Sequence, residues 1–487
     1  MISETSPKSY EDELKDWISL EKSAIELIKV VGDLWFDKSI ELIIFRKKLF
    51  DTNASEILNL HQYAREIVKK PIVISETLAV AKAISNLDIA PSRIDLGKLT
   101  SEWHEESTNF SSVEDFVGKK LAGFIGSNGK KITPKDVVLF GFGRIGRLAA
   151  RELISQAGKG EQLRLRAIVF RSLSDADITK RADLLRNDSV HGPFPGTILE
   201  DKENKALIIN GHKVQLVAAN SPEEIDYTQY GIENAIVIDN TGAFRDREAL
   251  SRHLSSKGVA QVLLTAPAGG DVPNIVHGVN QNTLDLENEK IFSAASCTTN
   301  AIVPVLKVLH DNFGVEGGHI ETIHSYTNDQ NLLDNYHKKY RRGRSAPLNL
   351  VITETGADKA VSKVLPELTG KLTGNAVRVP TPNVSLAILN LNLNSTVERD
   401  QVNQVLKDAA LNGDLVEQIQ YSFNNELVSS DLVGNSCASI VDSPATIVSK
   451  NNKGVVIYAW YDNEYGYTRQ VMRLAKYISN VRRLTYY

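Results

Sequence analysis

A glycine-rich turn between a strand and a helix constrains the fold of this 487-residue chain more than any other feature. Residues 136–140 form an apolar run that predicts a buried strand, and residues 148–154 have the spacing of a helix. The turn between them has glycines that would allow a tight bend, a close approach to a pyrophosphate, and packing of helix on strand. It therefore predicts a dinucleotide site, with contacts from Gly141, Gly143, Arg144, Ile145 and Gly146.

The segments after this turn predict two sheets of different kinds. Predicted strands at 163–170, 235–239 and 261–265 alternate with helices, which is typical of a parallel, doubly wound sheet. Later β-rich segments have few helices between them, which favours a mainly antiparallel sheet covered on one face. We expect an α/β chain with a Rossmann cofactor domain, an α+β catalytic domain and a final helix at 468–487.

Residues 1–130 have a different character. Apolar residues recur at roughly helical intervals from 10 to 37 and from 54 to 70, and a further helix is expected at 39–50. Residues 126–129, Gly-Ser-Asn-Gly, have the composition of a linker. We expect an all-α extension that packs on the core or contacts another subunit. A regulatory or partner-binding module is the alternative.

Composition limits the partners that the chain can have. A net charge of −4 gives no electrostatic footprint for nucleic acid or a membrane surface. Only two cysteines are present, which excludes a disulfide framework and a cysteine-rich zinc site and fits a reducing cytoplasm. We find neither a signal peptide nor an apolar run of the ~20 residues that span a bilayer. A cytoplasmic protein with no metal is expected.

The pentad Ser-Cys-Thr-Thr-Asn, residues 296–300, carries the predicted nucleophile. It lies between an apolar strand and a segment with helical spacing, so Cys297 should begin a helix. Unpaired N–H groups and the positive end of the helix dipole favour a thiolate there. An isolated cysteine is more often a small buried hydrophobe, but the polar neighbours argue against burial in an apolar core.

The segment Ile-His-Ser-Tyr-Thr-Asn-Asp-Gln, residues 323–330, supplies the general base, His324. Together with the Cys297 pentad, it resembles the phosphorylating glyceraldehyde-3-phosphate dehydrogenases over about residues 134–487. The resemblance implies a cofactor domain at 134–296 completed by the helix at 468–487, a catalytic domain at 297–467, a homotetramer, and a role in glycolysis or gluconeogenesis. Residues 1–130 lie outside it.

The resemblance also assigns roles to individual residues. Those matching the site of the substrate's own phosphate are Thr327, Asp329 and Arg378. Those matching the site of the attacking inorganic phosphate are Ser296, Thr298, Thr355, Gly356 and Arg342, although the sequence does not decide between Arg341, Arg342 and Arg344. Further cofactor contacts are expected from Thr241, Gly242, Asn463, which matches the residue that binds the nicotinamide amide, and Tyr467, which would pack on the ring.

The end of the second predicted strand departs from the pattern of family members that use NAD. An acidic residue that binds the ribose hydroxyls is expected there, but Phe170 is followed by Arg171 and Ser172. A basic residue at this point would accept the 2′-phosphate of NADP. The cofactor is therefore NAD or NADP, with Arg171 favouring NADP. In the alternative, Arg171 points to solvent, and Asp175 or Asp177 reaches the ribose.

Three functions are compatible with the sequence. The first is reversible, phosphate-dependent oxidation of glyceraldehyde 3-phosphate through a thiohemiacetal and a thioester on Cys297, with His324 moving the protons. The second is erythrose-4-phosphate dehydrogenase activity, in which water releases the thioester. The third is a catalytically inactive homologue that acts as a binding protein.

Overall fold

The computed structural model describes residues 9–126 and 132–487, so most of the predicted linker at 126–129 lies outside the described residues. The chain forms two compact units. The first comprises the described part of Met1–Thr133 together with Gly158–Glu161 and Arg482–Tyr487. The second comprises Pro134–Ala157 and Gln162–Val481.

The first unit is mainly helical. Its helices are α1 (Tyr10–Lys38), α2 (Ala54–Tyr63), α3 (Ile74–Ser85), α4 (Leu96–Glu106) and α5 (Val113–Lys120). Its first three strands are β1 (Glu41–Ile44), β2 (Lys47–Lys48) and β3 (Ser92–Asp95). Buried apolar side chains from all five helices form one core. The expectation of an all-α extension is corrected by these strands.

The expected helix at 39–50 is a β-hairpin formed by β1 and β2. Its turn places Phe45 and Arg46 at positive φ (41° and 71°), a conformation that helices exclude. The buried carboxylate of Asp95 accepts hydrogen bonds from both backbone N–H groups, at 2.8 and 3.2 Å. A side chain about fifty residues away therefore fixes a turn that local propensity does not predict.

The expected helix at 468–487 is also corrected. A helix does form, but it spans Tyr465–Ile478, and the chain then continues as the strand Leu484–Tyr486. This strand pairs in parallel with β3 and completes the four-stranded sheet of the first unit. Its pairing partner lies almost 400 residues earlier in the chain, so helical periodicity alone could not predict this end.

The first sheet of the second unit is the predicted Rossmann sheet. Its strands are β4 (Lys135–Phe140), β5 (Leu163–Phe170), β8 (Ile198–Asp201), β9 (Ala206–Ile209), β10 (His212–Ala218), β11 (Ala235–Asp239), β12 (Val259–Leu264) and β13 (Ile291–Ser293). Between β5 and β8, a separate small hairpin is formed by β6 (Asn187–Asp188) and β7 (Gly192–Pro193). The sheet order is β13-β12-β11-β4-β5-β10-β9-β8, parallel as far as β10. The helices are α6 (Arg144–Ser155), α7 (Asp175–Arg186) and α8 (Arg247–Ser251).

The second sheet of this unit is mainly antiparallel, as predicted. Its strands are β14 (Val315–Ser325), β15 (Val351–Thr353), β16 (Leu372–Val379), β17 (Ser385–Leu393), β18 (Ile419–Ser422), β19 (Ser439–Asp442), β20 (Ile447–Val448) and β21 (Gly454–Tyr461). Only the β14–β16 and β18–β19 pairs are parallel. The helices are α9 (Cys297–Phe313), α10 (Ala357–Val364), α11 (Arg399–Leu411) and α12 (Tyr465–Ile478), and the strand Leu484–Tyr486 is β22.

The fold class predicted for residues 134 onward is therefore confirmed, with both sheets inside one compact unit. Among the described residues, no helix combines the length and apolar character of a membrane span. A search of the same residues also finds no group of three His, Cys, Asp or Glu side chains placed to hold a metal ion.

Candidate active site

Cys297 is the first residue of α9, where sequence analysis expects the nucleophile. The Oγ of Ser296 caps the helix by accepting a hydrogen bond from the N–H of Thr299 at 3.0 Å. The side-chain amide of Asn300 donates to the carbonyls of Ala294 and Ser296, at 2.8 and 2.9 Å. These bonds fix the turn that leads from β13 into α9 and hold the sulfur at the amino end of the helix.

His324 lies at the end of β14, and its Nε2 is 3.6 Å from the Cys297 Sγ. The ring is buried, and its Nδ1 lies 2.6 Å from the carbonyl oxygen of Ser325. In the tautomer with its proton on Nδ1, the neutral ring donates to this carbonyl and presents an unprotonated Nε2 to the thiol. In the other tautomer, Nδ1 accepts a hydrogen bond from Arg378 Nη1 instead, and Nε2–H faces the sulfur. The pair therefore has the geometry in which a histidine can take the proton of a cysteine.

Arg378 sets the electrostatics of this pair. The parallel register of β14 and β16 places it directly opposite His324, and its Nη1 is 2.8 Å from His324 Nδ1 and 2.9 Å from the Ser325 carbonyl. Burial and this nearby positive charge lower the pKa of His324 to about 3. Burial raises the pKa of Cys297, although the charge of Arg378 opposes the change. These two shifts favour a neutral thiol on Cys297 and a neutral imidazole on His324.

Of the three neighbouring arginines that sequence analysis left open, Arg342 is held toward the site. Its guanidinium pairs with Asp329 and donates from Nε to the Oγ1 of Thr353 at 3.1 Å. Its charge also contributes to the lowered pKa of His324. Arg344 instead pairs with Asp334 at 2.9 Å and is largely exposed, and Arg341 is also exposed.

The remaining predicted phosphate ligands lie on loops or at the starts of helices. Thr327 follows the end of β14, and Thr355 and Gly356 directly precede α10, of which Gly356 is the N-cap residue. A helix that begins in this way directs free N–H groups outward, which suits an anion. Thr298 lies in the first turn of α9, next to the nucleophile.

Sequence analysis did not predict a role for Tyr461, which supports Thr298. Its buried hydroxyl lies 3.0 Å from the Oγ1 of Thr298 and 2.7 Å from that of Thr322. The only sequence signal for it was its position two residues before Asn463. Through these contacts, Tyr461 fixes the side chain that would hold a phosphate oxygen beside Cys297.

The three glycines of the predicted cofactor turn lie where a side chain would either clash or extend into the cleft. Gly141 has φ +91°, and a Cβ there would approach Thr241 Cγ2 to 2.9 Å. A Cβ on Gly146 would come within 2.5 Å of the Gly141 carbonyl oxygen, which explains the close packing of α6 on β4. At Gly143 a Cβ would meet only open space in the adjoining cleft, leaving the backbone accessible to a pyrophosphate. These features fit a dinucleotide.

The cleft beside this turn has a volume of about 360 Å³ and contains several basic side chains. Arg147, Arg171, Ser172, Arg181, Thr241 and Phe244 are among the residues that line it. None of the described residues lining the cleft carries a carboxylate. Asp177 accepts the N–H of Ser174 at 2.9 Å in the capping box of α7. Neither Asp175 nor Asp177, the acids of the NAD alternative, lines the cleft.

Arg181, which sequence analysis did not predict, stacks on the ring of Phe170. Its Cζ is 5.0 Å from the ring centroid, and its buried Nε has no hydrogen-bond partner within the described parts of the chain. Stacking of this kind holds a guanidinium in one orientation while leaving its N–H groups available. No motif marks Arg181 in the sequence, because its contact joins α7 to the end of β5.

Arg144, by contrast, does not face the cleft. Its guanidinium donates to both oxygens of Asp188 at 3.0 and 3.1 Å and also pairs with Glu464, whose carboxylate contacts His191 Nε2 at 3.0 Å. Its side chain is held in these ion pairs, and the expected cofactor contact from Arg144 stays a prediction. Its ion pairs tie the first turn of α6 to the residue that follows Asn463.

Asn463 and Tyr467 lie on or beside α12 and are linked to the catalytic residues. Asn463 Oδ1 accepts a hydrogen bond from Ser385 Oγ at 2.8 Å, which leaves its amide nitrogen able to donate. The same Ser385 Oγ accepts the N–H of Ser325, next to His324, at 3.1 Å. Tyr467 donates its hydroxyl to the Ala295 carbonyl at 2.9 Å, two residues before Cys297.

Comparison with known proteins agrees with this site. Residues 135–247 match the family described as "Glyceraldehyde 3-phosphate dehydrogenase, NAD binding domain", and residues 296–463 match "Glyceraldehyde 3-phosphate dehydrogenase, C-terminal domain". A Pseudomonas aeruginosa protein named "Glyceraldehyde-3-phosphate dehydrogenase-like protein" is 50% identical over 458 residues, covering 93% of this chain and 98% of that protein. The glyceraldehyde-3-phosphate dehydrogenase of Priestia megaterium is 44% identical over 339 residues, covering 70% of this chain and 96% of its own length.

Proposed function

This chain belongs to the glyceraldehyde-3-phosphate dehydrogenase family of NAD-binding oxidoreductases, and on that premise we propose that it oxidises D-glyceraldehyde 3-phosphate. The reaction consumes inorganic phosphate, yields 1,3-bisphosphoglycerate, is reversible, and belongs to glycolysis or gluconeogenesis. The observation that carries the proposal is the 3.6 Å contact between Cys297 Sγ and His324 Nε2 at the amino end of α9.

Cys297 and His324 carry out the proposed bond-making and proton-transfer steps. Cys297 Sγ adds to the aldehyde carbon, and His324 Nε2 takes the thiol proton and returns it to the new oxyanion, which gives the thiohemiacetal hydroxyl. The same nitrogen takes this proton back as the carbon loses its hydride. A nicotinamide cofactor bound at the glycine turn would supply the acceptor for that hydride. Phosphate then attacks the thioester on Cys297, and the sulfur is released as the leaving group. Asn463 would orient the nicotinamide amide, and Tyr467 would support the ring.

Two anion sites flank the nucleophile in this proposal. Thr327 and Arg378 would hold the phosphate of the substrate, with Asp329 beside them paired to Arg342. Ser296, Thr298, Thr355, Gly356 and Arg342 would hold the attacking phosphate. An anion bound to Arg378 offsets the positive charge that lies 2.8 Å from His324 Nδ1. Substrate binding would then raise the pKa of His324 toward its ordinary value, so that it becomes an effective base.

We further propose that NADP is the preferred cofactor. Arg171, Ser172 and Arg181 line the ribose end of the cleft, and the described lining residues include no carboxylate that would repel a 2′-phosphate. The stacked Arg181 offers N–H groups of fixed orientation, and charge-assisted bonds to phosphate are the strong ones. NAD would bind the same cleft without these contacts.

A homotetramer with the domain division 134–296 and 297–467 is part of the same proposal. The 332–352 segment supports contacts between copies, because it exposes Leu332, Leu333, Tyr336, Tyr340, Leu348 and Leu350. Exposed large apolar side chains gathered in one segment are typical of a protein–protein interface.

The reaction is tested by steady-state assays with glyceraldehyde 3-phosphate and erythrose 4-phosphate, each with and without phosphate. We expect oxidation of glyceraldehyde 3-phosphate that requires phosphate. Phosphate-independent oxidation of erythrose 4-phosphate would support the hydrolytic alternative instead. Absence of turnover with either aldehyde, together with intact cofactor binding, would leave only the binding-protein alternative.

The cofactor preference is tested by kcat/KM for NADP and NAD, and by direct binding of 2′,5′-ADP. Arg181→Ala and Arg171→Ala should each lower the NADP/NAD ratio by roughly tenfold to a hundredfold, the worth of one charge-assisted bond. Lys180→Ala is the matched control, because this exposed residue adjoins Arg181 but does not line the cleft. An unchanged ratio in both arginine variants would overturn the NADP proposal and leave the reaction standing.

A further inference from the structure

The hydroxyl of Ser385 lies where three strands of the second sheet meet. Ser385 is the first residue of β17, and the strand register pairs it with Tyr461 at the end of β21. Its Oγ accepts the N–H of Ser325, the last residue of β14, at 3.1 Å, and donates to Asn463 Oδ1 at 2.8 Å. This buried side chain therefore joins the strand that carries His324 to the residue proposed to bind the nicotinamide amide.

The backbone just before Ser385 is strained. Val384 has φ +66°, a left-handed conformation that is an outlier for a β-branched residue. It is buried, and its carbonyl accepts the hydroxyl of Ser325 at 2.9 Å. Strained residues persist where surrounding contacts hold them, and they are concentrated at functional sites. The strain at Val384 therefore indicates that the site depends on where Ser385 is placed.

The two hydrogen bonds of Ser385 decide how the amide of Asn463 is turned. A serine hydroxyl has one hydrogen to donate. Among the described residues, the Oγ of Ser385 bonds only to the N–H of Ser325 and to Asn463. If Asn463 turned its NH2 group toward this oxygen, the buried serine hydrogen would lose its acceptor, which is costly. Ser385 thus holds Asn463 with Oδ1 toward itself.

This orientation leaves Asn463 with a donor for the cofactor. Its Nδ2 makes no hydrogen bond to the described parts of the chain, whereas its Oδ1 is already engaged. The carboxamide of nicotinamide offers a carbonyl oxygen and an NH2 group. Because an N–H donor binds an acceptor, Nδ2 can bind the carbonyl oxygen but not the NH2 group.

We propose that Ser385 is a positioning residue that makes the site select the carbonyl of the nicotinamide carboxamide over its NH2 group. It acts through Asn463 and does not itself touch the cofactor. The inference rests on the role of Asn463 in the proposed function, and it adds the residue that determines which group of the carboxamide is recognised.

The direct test is the binding of two NADP analogues to the full chain, measured by isothermal titration calorimetry without aldehyde. The 3-acetylpyridine analogue keeps the carbonyl and has a methyl group in place of NH2. The thionicotinamide analogue keeps NH2 and has sulfur, a weaker acceptor, in place of the carbonyl oxygen. We define the carbonyl preference as the dissociation constant of the thionicotinamide analogue divided by that of the acetylpyridine analogue. We expect a value above one for wild type, and a value below one would overturn the proposal.

Ser385→Ala should reduce the carbonyl preference. Without the serine hydroxyl, Asn463 is free to turn, and its Oδ1 can then accept the NH2 group of the thionicotinamide analogue. The expected fall is roughly tenfold, about the contribution of one hydrogen bond. General loosening of the site would weaken both analogues alike, so an unchanged preference in this variant would show that Ser385 has only a structural role.

The matched control is Ser325→Ala. It removes another buried hydroxyl beside the same strand ends, but one that contacts Thr381 and Val384 instead of Asn463. The main-chain N–H that donates to Ser385 is kept in this variant. We expect the carbonyl preference to be unchanged, and an equal fall in both serine variants would overturn the proposal.

Asn463→Asp tests whether Ser385 acts through Asn463. A carboxylate has acceptors only, so this change alone should also lower the carbonyl preference. Combining it with Ser385→Ala should lower the preference no further, because the two changes act on one contact and their effects should not add. A further fall in the double variant would contradict the proposed route.

The binding measurements need no turnover, so the two proposals fail separately. If the aldehyde is oxidised and Ser385→Ala leaves the carbonyl preference unchanged, the inference about Ser385 is wrong and the proposed reaction stands. If neither aldehyde is oxidised but the preference falls in Ser385→Ala, the reaction is wrong and the role of Ser385 stands.

Discussion

The sulfur of Cys297 determines whether the proposed reaction can occur at all. We expect Cys297→Ser to abolish dehydrogenase activity and leave the fold intact, because only a thiolate serves both as nucleophile and as thioester carrier in this site. The check is steady-state turnover with circular dichroism as the folding control. Cys437 is not part of the proposed catalytic set, and Cys437→Ala should retain activity. Substantial turnover in Cys297→Ser would contradict the assignment.

His324 should affect both the rate and the pH dependence of stability. His324→Asn is expected to slow acylation by roughly 10²–10⁴-fold, the usual contribution of a positioned acid–base group. The pKa of His324 is lowered to about 3 in the folded chain, against an ordinary value near 6.5. The unfolded chain therefore binds this proton first, so wild-type stability is complete above pH 6.5 and falls as the pH drops toward 3.

The stability measurement is urea unfolding of wild type and His324→Asn at several pH values. The variant lacks this titrating group, so its free energy of unfolding should fall less between pH 6.5 and 3. Each pKa unit of difference corresponds to about 1.4 kcal/mol. Since burial also lowers the pKa of His61 in the first unit, His61→Asn is an informative comparison. Parallel pH curves for wild type and His324→Asn would show that the histidine is not buried and neutral.

At the scale of single residues, the sequence predicted the nucleophile and the base, whose residue types and neighbours are themselves the signal. It did not predict Arg181, because its contact with the Phe170 ring depends on how α7 packs beside β5. Nor could it choose between Arg341, Arg342 and Arg344, since that choice rests on Asp329 and Thr353 lying beside one of them.

At the scale of elements, Asp95 holds the turn of the β1–β2 hairpin from outside the hairpin. Its carboxylate accepts the N–H groups of Phe45 and Arg46 and also caps α4 through the N–H of Lys98 at 3.1 Å. Asp95→Ala should lower the free energy of unfolding of the first unit by about 3 kcal/mol, from the lost cap and the unsatisfied buried N–H groups.

Urea unfolding followed by the fluorescence of Trp35 and Trp103 would measure this change. Asp115→Ala is the matched control, because Asp115 is also acidic and near a helix start but lies at the surface. It should cost much less than Asp95→Ala. Equal losses in the two variants would mean that Asp95 does not hold the turn.

The elements that the sequence predicted are those specified by neighbouring residues. The strand, glycine turn and helix from β4 to α6 need only local apolar runs and three glycines. The hairpin at 39–50 was predicted as a helix because apolar spacing there fits either structure, and Asp95 decides the outcome. The end of α12 was missed for the same reason, since β22 is stabilised by pairing with β3.

At the scale of the whole molecule, the first unit contains β22 from the carboxyl end of the chain, so a truncation that removes this unit needs two deletions. Deleting residues 1–131 alone would leave the 482–487 segment without its sheet. We expect a chain lacking both 1–131 and 482–487 to bind cofactor and to turn over at the order of magnitude of the full chain, because every proposed catalytic and cofactor residue lies between 134 and 481.

Isothermal titration with NADP and steady-state kinetics would check the double truncation. The chain lacking only 1–131 serves for comparison and should be the less soluble of the two, since an unpaired strand promotes association. A soluble, folded double truncation that does not bind cofactor would show that the first unit contributes to the chemistry.

The pairing of β22 with β3 has a consequence for the order in which the protein matures on the ribosome. The strand Leu484–Tyr486 is translated 389 residues after Asp95, the last residue of β3. At about 5–20 residues per second, the amino-terminal sheet waits tens of seconds for its fourth strand. A product of interrupted translation would therefore carry an open sheet edge that proteases and chaperones can recognise. Only a chain translated as far as residue 486 can cover that edge with β22.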